Sequence, residues 1–240
     1  MSRLFKGAAL LSSVAVMVLL SATPASAQIE GSIIFGYTLS EGVNASSAQI
    51  INGATYNSLD VTSGGSWGFT IGGYVTPQAE IEFLFDQQFS TLQASSPAPA
   101  LKLSDMSVYN YHGVFSYNWG DKDTKVRPFI FGGIGATHYS PGTLNSAIPL
   151  PPVPPVGVTG NQINSATKFS FTWGGGVKVY ASEHVGLKVQ ARWTPTYIKT
   201  DAAGTWCDPW YGCWVVGSTD YSNQFEMSGG IVFRFDDNDQ

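Results

Sequence analysis

The sequence is dominated by an alternation of apolar and polar side chains with a period of two residues. Between residues 79 and 90 the apolar positions are Ala79, Ile81, Phe83, Phe85 and Phe89, and the polar ones between them include Glu80, Glu82, Asp86 and Gln88. This period predicts β-strands with one apolar and one polar face. Odd-numbered positions are predicted to be the apolar ones in strand after strand. Runs of about a dozen residues with aromatic ends indicate strands that face lipid.

Runs of this kind can be drawn at residues 29–40, 66–76, 79–90, 105–119, 127–140, 167–181, 185–199 and 220–235. Short connections at 77–78, 120–123 and 182–184 alternate with long ones at 41–65, 91–104, 141–166 and 200–219. Short turns at one end and long loops at the other are typical of bacterial outer-membrane barrels. The predicted fold is all-β, an eight-stranded antiparallel up-and-down transmembrane β-barrel over residues 28–235, with a short acidic tail at 236–240.

Residues 1–27 have the pattern of a signal peptide rather than of folded structure. Arg3 and Lys6 form a basic start, residues 8–20 are apolar, and Ala25-Ser26-Ala27 is a small-residue cleavage pattern. A transmembrane anchor is the alternative, although this apolar run is short for crossing a bilayer. We therefore expect export through a cleaved signal peptide to the outer membrane of a Gram-negative-type bacterium.

The charge balance excludes some partners. Without Arg3 and Lys6 the chain keeps 10 basic residues against 17 acidic ones, which argues against nucleic acid as a partner. Charged residues make up 12% of the chain, compared with about 25% in typical soluble domains. Beyond the signal segment no apolar run approaches the ~18 residues of a helical span. These features fit an outer-membrane barrel or a secreted β-protein.

Alternation alone does not say which face points inward, because a soluble ligand-binding barrel alternates as well. The polar face is thinly charged, with small residues such as Ser170, Thr172, Gly174 and Gly176, which favours a narrow lumen over a water-exposed surface. Aromatic residues near the strand ends fit two interfacial girdles, namely Tyr37, Trp67, Phe89, Trp119, Tyr139, Phe169, Trp193, Tyr221 and Phe235.

The predicted lumen then receives a set of charged side chains, namely Glu30, Glu80, Glu82, Asp86, Lys178, Lys188, Arg192, Glu226 and Arg234. Acids and bases lie on different strands and could pair across the interior, as buried charges must. An eight-stranded barrel is only wide enough for its own side chains to fill. The interpretation is a filled polar lumen, and the alternative is a narrow path for water, ions or small solutes.

The last long loop contains both cysteines. Cys207 and Cys213 are predicted to form a disulfide, because an exported chain meets an oxidising compartment. Trp206, Trp210, Tyr211 and Trp214 surround this pair as surface-loop aromatics. They could contact an extracellular ligand that the sequence does not identify, or form a hydrophobic lid on the other loops.

Several segments resemble the small eight-stranded outer-membrane β-barrel family, the opacity-protein and OmpA/OmpX-like group. They are Tyr-Asn-Trp-Gly at 117–120, Arg-Pro-Phe-Ile-Phe-Gly-Gly-Ile-Gly-Ala at 127–136, Thr-Trp-Gly-Gly-Gly-Val-Lys-Val-Tyr at 172–180, the strand at 185–197 and Ser-Gly-Gly-Ile-Val-Phe-Arg-Phe at 228–235. The resemblance implies outer-membrane lipid and the barrel-assembly machinery as partners. That machinery would read Phe233 and Phe235 as its assembly signal, although residues 236–240 follow them here.

Catalytic residues are not predicted. His138 and Ser140 could form a nucleophile–base pair of a lipid-modifying enzyme, but a spacing of two along a strand separates them by nearly 7 Å. His112 and His184 have no identifiable partners, and Glu80 and Glu82 are expected to meet bases rather than to act on sugars. The expectation is a monomeric, non-enzymatic protein without a cofactor or a metal site, which supports envelope structure or surface interaction. A channel, a lipid-modifying enzyme and a secreted ligand-binding barrel are the alternatives.

Overall fold

The computed structural model describes residues 28–121, 124–148, 161–198, 206–208, 212–214 and 221–235. The strands are β1 (Ile29–Ser40), β2 (Val43–Ile51), β3 (Ala54–Val61), β4 (Gly64–Tyr74), β5 (Ala79–Pro97), β6 (Leu101–Asn118), β7 (Val126–Pro141), β8 (Ala166–Tyr180), β9 (Val185–Tyr197), β10 (Trp206–Asp208), β11 (Gly212–Trp214) and β12 (Tyr221–Phe235). No helix within these ranges has the length and apolar character needed to cross a membrane.

Eight of the strands form a closed antiparallel barrel. In the order β1, β4, β5, β6, β7, β8, β9 and β12, each pairs with the next, and β12 pairs with β1 to close the sheet. Closure matters because a sheet with no edge satisfies every strand hydrogen bond internally, which a strand in hydrocarbon requires. The predicted fold class is therefore confirmed.

The strand register fixes how wide the barrel can be. Following paired residues around the sheet from Leu39 of β1 leads through Trp193 and Phe115 and returns to β1 at Ile29, ten residues before the start. Strand number and this stagger together set the tilt and the diameter of a barrel. Eight strands leave an interior that is just wide enough for side chains to fill.

The barrel has a short-turn end and a long-loop end. The connections at 75–78, 119–125 and 181–184 lie at the short-turn end, where β1 begins and β12 ends. The β2–β3 hairpin and the segments that follow β7 and β9 lie at the long-loop end.

Seven barrel strands direct their even-numbered side chains inward, and β7 does the opposite. On β5 Glu82 is buried and Phe83 is exposed, whereas on β7 Arg127 and Phe129 are buried and Ile130 is exposed. The reversal follows from the register, because even-numbered positions of β6 pair with odd-numbered positions of β7, and β7 with β8 restores the parity.

The predicted odd-outward rule is therefore wrong for β7. Tyr139, which the sequence placed in an outer aromatic girdle, is buried inside the barrel. The reason lies in the residues of β7, whose two faces are both largely apolar, so that its own alternation is weak.

Two predicted loops are also wrong, because residues 41–65 and 91–104 form mostly strands. Residues 43–61 form the β2–β3 hairpin, and β5 and β6 continue past the barrel to a tight turn between Pro97 and Leu101. The outer part of β5 pairs with β3. Asn52 and Gly53 turn the hairpin with φ values of 52° and 77°, the left-handed conformation that an Asn-Gly turn needs. Abundant serine, threonine and asparagine hid this hairpin from a composition-based reading.

These extensions enclose an apolar core at the long-loop end, which we call the loop-end cluster. Its buried members are Ile51, Tyr56, Leu59, Val61, Leu92, Ala94, Leu103, Met106, Val108, Tyr139, Leu144, Ile148, Ile163 and Ile198. The hairpin, the extended strands, the barrel wall and the segment after β7 all contribute to it. The loop end is thus a folded cap with a core of its own.

Glycines on β6 and β7 offer a direct test of which face points inward. A Cβ at Gly135 would lie 1.9 Å from the Tyr111 carbonyl oxygen and 2.8 Å from the His112 Cα, whereas a Cβ at Gly113 would meet no atom within 4 Å. We expect Gly135→Ala to lower the free energy of unfolding by about 1–3 kcal/mol through overpacking. Gly113→Ala serves as the matched control and should change little. Urea unfolding of the refolded protein, followed by tryptophan fluorescence, would show this, and equal effects of the two changes would contradict the assigned faces.

Candidate functional site

The barrel lumen is the candidate site, because it concentrates charge that the outward face lacks. Five acidic side chains and five basic ones are buried within it, namely Glu30, Glu80, Glu82, Asp86 and Glu226 with Arg127, Lys178, Lys188, Arg192 and Arg234. They come from β1, β5, β7, β8, β9 and β12, so only closure of the sheet brings them together. The formal charges of this set cancel.

Lys178 organises the charges near the short-turn end. Its Nζ lies 2.9 Å from Glu80 Oε2 and also forms an ion pair with Glu30. Glu30 Oε2 accepts further hydrogen bonds from the Tyr180 hydroxyl at 2.6 Å and from the Tyr74 hydroxyl at 3.1 Å. Buried ion pairs persist only when extra hydrogen bonds satisfy their remaining lone pairs, as happens here.

A second pair lies at mid-lumen beside an aromatic ring. Lys188 Nζ is 3.2 Å from Glu82 Oε2, and the Ser116 hydroxyl donates to the other carboxylate oxygen. The Nζ atoms of Lys178 and Lys188 lie 5.4 Å and 5.2 Å from the centre of the Phe129 ring, within reach of a cation–π interaction. Phe129 thus occupies the space between two ammonium groups that would otherwise repel each other.

Arg127 belongs to this network although the sequence analysis missed it. Its Nη2 donates to the Pro77 carbonyl oxygen at 2.8 Å, and its guanidinium lies 5.2 Å from the Tyr74 ring centre. The odd-outward rule assigned this position to the wrong face. A charge in the middle of a barrel strand was itself the signal, since lipid-facing charge is costly.

Arg234 joins the same end through a ring contact. Its guanidinium lies 3.8 Å from the Tyr180 ring centre, and one of its nitrogens is 3.9 Å from Glu30. The lumen charges that the sequence assigned to even positions are therefore all buried in one interior.

Arg192 holds the charges toward the long-loop end. Its Nη2 lies 2.6 Å from Glu226 Oε2 and 2.9 Å from Asp86 Oδ1, so one guanidinium bridges two carboxylates from β12 and β5. Beyond this bridge the side chains become uncharged. Gln224 donates to Gln88 at 3.0 Å, and Asn110 donates to Gln224 at 3.3 Å.

The uncharged layer also contains a buried histidine–serine contact that the sequence analysis did not find. His112 Nε2 lies 2.9 Å from Ser170 Oγ, and the Thr137 hydroxyl donates to the same Oγ at 3.0 Å. A nucleophile–base pair needs a third group that orients the histidine. Within the described ranges His112 Nδ1 has no hydrogen-bond partner, so no carboxylate takes that role there. The contact joins β6 to β8 across 58 positions, a separation without a local sequence signal.

His138 faces away from the lumen. Its Nδ1 lies 2.8 Å from Thr167 Oγ1, and its ring is 6.1 Å from that of Tyr109. Among the described residues no group of three or more potential metal ligands occurs.

Apolar side chains complete the filling of the interior. Phe129, Phe131, Leu84 and Val114 form a buried cluster inside the barrel wall. The loop-end cluster lies beyond the uncharged layer. The lumen is thus occupied in sequence by ion pairs, aromatic rings, amides and hydroxyls, and finally aliphatic side chains.

The outward face is apolar along its whole height. Phe35 is 64% exposed and Met227 is 65% exposed, although both are large apolar residues. Trp67, Gln87, Tyr109, His138 and Thr167 form a directly paired row across β4 to β8 that rises toward the long-loop end. Adjacent members of this row are joined by hydrogen bonds or ring contacts, the arrangement expected of amphipathic side chains at a membrane interface.

The remaining sequence predictions concern the chain ends and the last long loop. Phe235 pairs with Ile29 and is exposed on the outward face, and Phe233 pairs with Gly31 on the same strand. In the β10–β11 hairpin Cys207 stands opposite Cys213 and Trp206 opposite Trp214. The disulfide stays a prediction. Trp210, Tyr211, the signal segment 1–27 and the tail 236–240 lie outside the described residues.

Lys178 provides the sharpest test of the ion-pair network. Lys178→Met would leave Glu30 and Glu80 buried without their shared base, and we expect a loss of about 3–5 kcal/mol in the free energy of unfolding. Lys102→Met removes an exposed ion pair with Asp105 and should cause almost no change. Denaturant midpoints of the two variants, measured side by side in the same detergent, would decide. A similar small effect of both would mean that the lumen pairs do not hold the barrel.

Comparison with known proteins supports the fold and little else. No protein-family model and no curated protein matches the chain. The structure is similar to the outer membrane protein OprG of Pseudomonas aeruginosa, with a TM-score of 0.50 and 12% identity over 88% of this chain and 96% of OprG. It is also similar to Neisserial surface protein A, with a TM-score of 0.48 and 12% identity over 87% of this chain and 97% of that one. The chain thus has the fold of the small eight-stranded outer-membrane β-barrels, as its sequence resemblance implied.

Proposed function

We propose that this protein is a non-enzymatic integral outer-membrane barrel with a closed lumen, which acts in envelope structure or surface interaction through its folded loop end. The observation that carries the proposal is the interior itself. Ten charged side chains cancel one another there, and an apolar cluster covers them at the long-loop end.

Insertion in a membrane is supported by the outward face. Apolar side chains cover the barrel wall, while every charged side chain of the lumen set is buried. Such a surface would be a liability in water, because exposed apolar patches of this extent drive association. In a bilayer the same surface is matched to its surroundings.

Closure of the lumen is supported by two barriers in series. The first is the mid-lumen layer, where Lys188, Glu82 and Phe129 meet across the interior. The second is the loop-end cluster, whose aliphatic side chains offer no polar group to a hydrated ion. An ion would have to displace paired charges and then cross an apolar core.

A non-enzymatic role is supported by how the histidines are engaged. His138 lies on the outward face with its Nδ1 against Thr167, and His112 is buried beneath the loop-end cluster. A hydrolytic site needs a nucleophile that a substrate can approach.

Action at the surface is supported by the cap. A barrel needs only turns to connect its strands, yet this chain builds a hairpin, two strand extensions and an apolar core at one end. A cap with its own core holds its exposed residues in fixed positions, as a binding surface requires.

Cysteine labelling on intact cells would test the orientation. In a background with Cys207→Ser and Cys213→Ser, we expect Asn57→Cys to react with a membrane-impermeant maleimide, because Asn57 is exposed on β3 in the cap. Glu183→Cys is the matched control, since Glu183 is exposed in a short turn at the opposite end. It should react only after the outer membrane is permeabilised. Labelling of Glu183→Cys alone on intact cells would reverse the orientation.

Planar-bilayer recording would test the closed lumen. We expect no discrete current steps from the folded wild-type protein. Glu82→Ala, Lys188→Ala and Phe129→Ala together vacate the mid-lumen without leaving an unpaired charge of that pair. Because the loop-end cluster remains, this lumen variant alone should also be silent.

The matched variants separate the two barriers. Replacing residues 43–61 with a short glycine–serine linker removes the hairpin contribution to the loop-end cluster and should be silent by itself. Combining it with the lumen variant should produce steps. Steps from the wild-type barrel would overturn the closed lumen and make transport the function, and silence of the combined variant would show that the proposed barriers are not the ones that matter.

A further inference from the structure

A groove of about 610 Å³ lies on the outward face of the barrel near the long-loop end. It crosses β8, β9, β12 and β1, and its lining residues are Leu39, Ser40, Glu41, Trp173, Trp193, Asn223 and Phe225. The volume is within the range of about 300–1,000 Å³ that is typical of small-molecule sites. It opens away from the lumen, on the apolar wall that a bilayer would cover.

The floor of the groove is a single row of paired residues. Leu39 pairs with Phe225, Phe225 with Trp193, and Trp193 with Trp173. The two indole rings meet edge to face with centroids 4.7 Å apart. Because the strands are staggered around the barrel, this row descends from the loop end toward the middle of the bilayer as it passes from β1 to β8.

The upper end of the groove is polar and carries a negative charge. Glu41 Oε2 accepts a hydrogen bond from Asn223 Nδ2 at 2.7 Å, and Asn223 Oδ1 accepts one from Trp193 Nε1 at 3.2 Å. No basic side chain lines the groove. The polar end therefore favours a cationic hydrogen-bond donor and disfavours an anionic group.

We propose that this groove binds one zwitterionic phospholipid with an ammonium head, of the phosphatidylethanolamine type. The ammonium lies at the Glu41 carboxylate, and an acyl chain follows the Phe225, Trp193 and Trp173 row into the bilayer. The occupant matches the groove on two counts, since the apolar track continues the hydrocarbon region and the carboxylate stands at headgroup level. A second copy of the chain would have to offer both a cation and an apolar ridge of the same slope.

Native mass spectrometry of the detergent-solubilised protein tests this proposal. The probes are phosphatidylethanolamine and phosphatidylglycerol with identical acyl chains, supplied in equal amounts. We expect one retained lipid per barrel, with phosphatidylethanolamine preferred about tenfold, as for one charge-assisted hydrogen bond. Glu41→Gln should abolish the preference while both lipids still bind.

Variants of the apolar track separate chain binding from head binding. Trp173→Ala with Trp193→Ala should reduce retention of both lipids about tenfold through lost apolar contact. Trp193→Phe keeps a ring and should retain most of the lipid. Phe115→Ala is the matched control, because Phe115 is exposed on the outward face away from the groove, and it should bind like wild type. All variants are first checked as folded barrels on unboiled gels.

Three results would overturn the proposal. Equal retention of the two lipids by the wild-type protein would remove the role of Glu41. Unchanged retention in the double tryptophan variant would place the lipid elsewhere. Dimers in place of lipid adducts, lost in that same variant, would assign the groove to a second copy of the chain.

Discussion

Pairing of every backbone polar group is the constraint on which the rest of the structure depends. In hydrocarbon an unpaired strand edge is too costly, so the sheet closes on itself. Closure with eight strands leaves room only for side chains, and the polar face of each strand must then fill that narrow interior. Ionised groups confined there need opposite charges from other strands, as Lys178 finds in Glu30 and Glu80.

The sequence predicted the features that this constraint controls directly. The period of two and the alternation of short and long connections were enough for eight strands and their order. They were not enough for β7, because Phe129 and Phe131 on its inner face are as apolar as Ile130 and Ile134 on its outer face. Arg127 was missed for the same reason, since a fixed parity rule overrode the cost of a charge facing lipid.

The cap and the interior contacts were harder to predict, for two physical reasons. The β2–β3 hairpin is rich in small polar residues, so composition indicated a loop, although Asn52-Gly53 between Ile51 and Ala54 is a hairpin signal. The contact of His112 with Ser170 depends on strand register, which one sequence does not reveal. The groove likewise exists only because register aligns residues of four strands.

The reversed parity of β7 shows where the information for its orientation is stored. Turning this strand over would exchange one largely apolar face for another, so its own residues only weakly distinguish the two orientations. The distinction comes from β6 and β8, whose odd offsets to β7 cancel each other. A single-residue insertion on either side of β7 therefore cannot be absorbed locally. It must be matched by one on the other side, which makes the two connections flanking this strand a coupled pair in any evolutionary change of length.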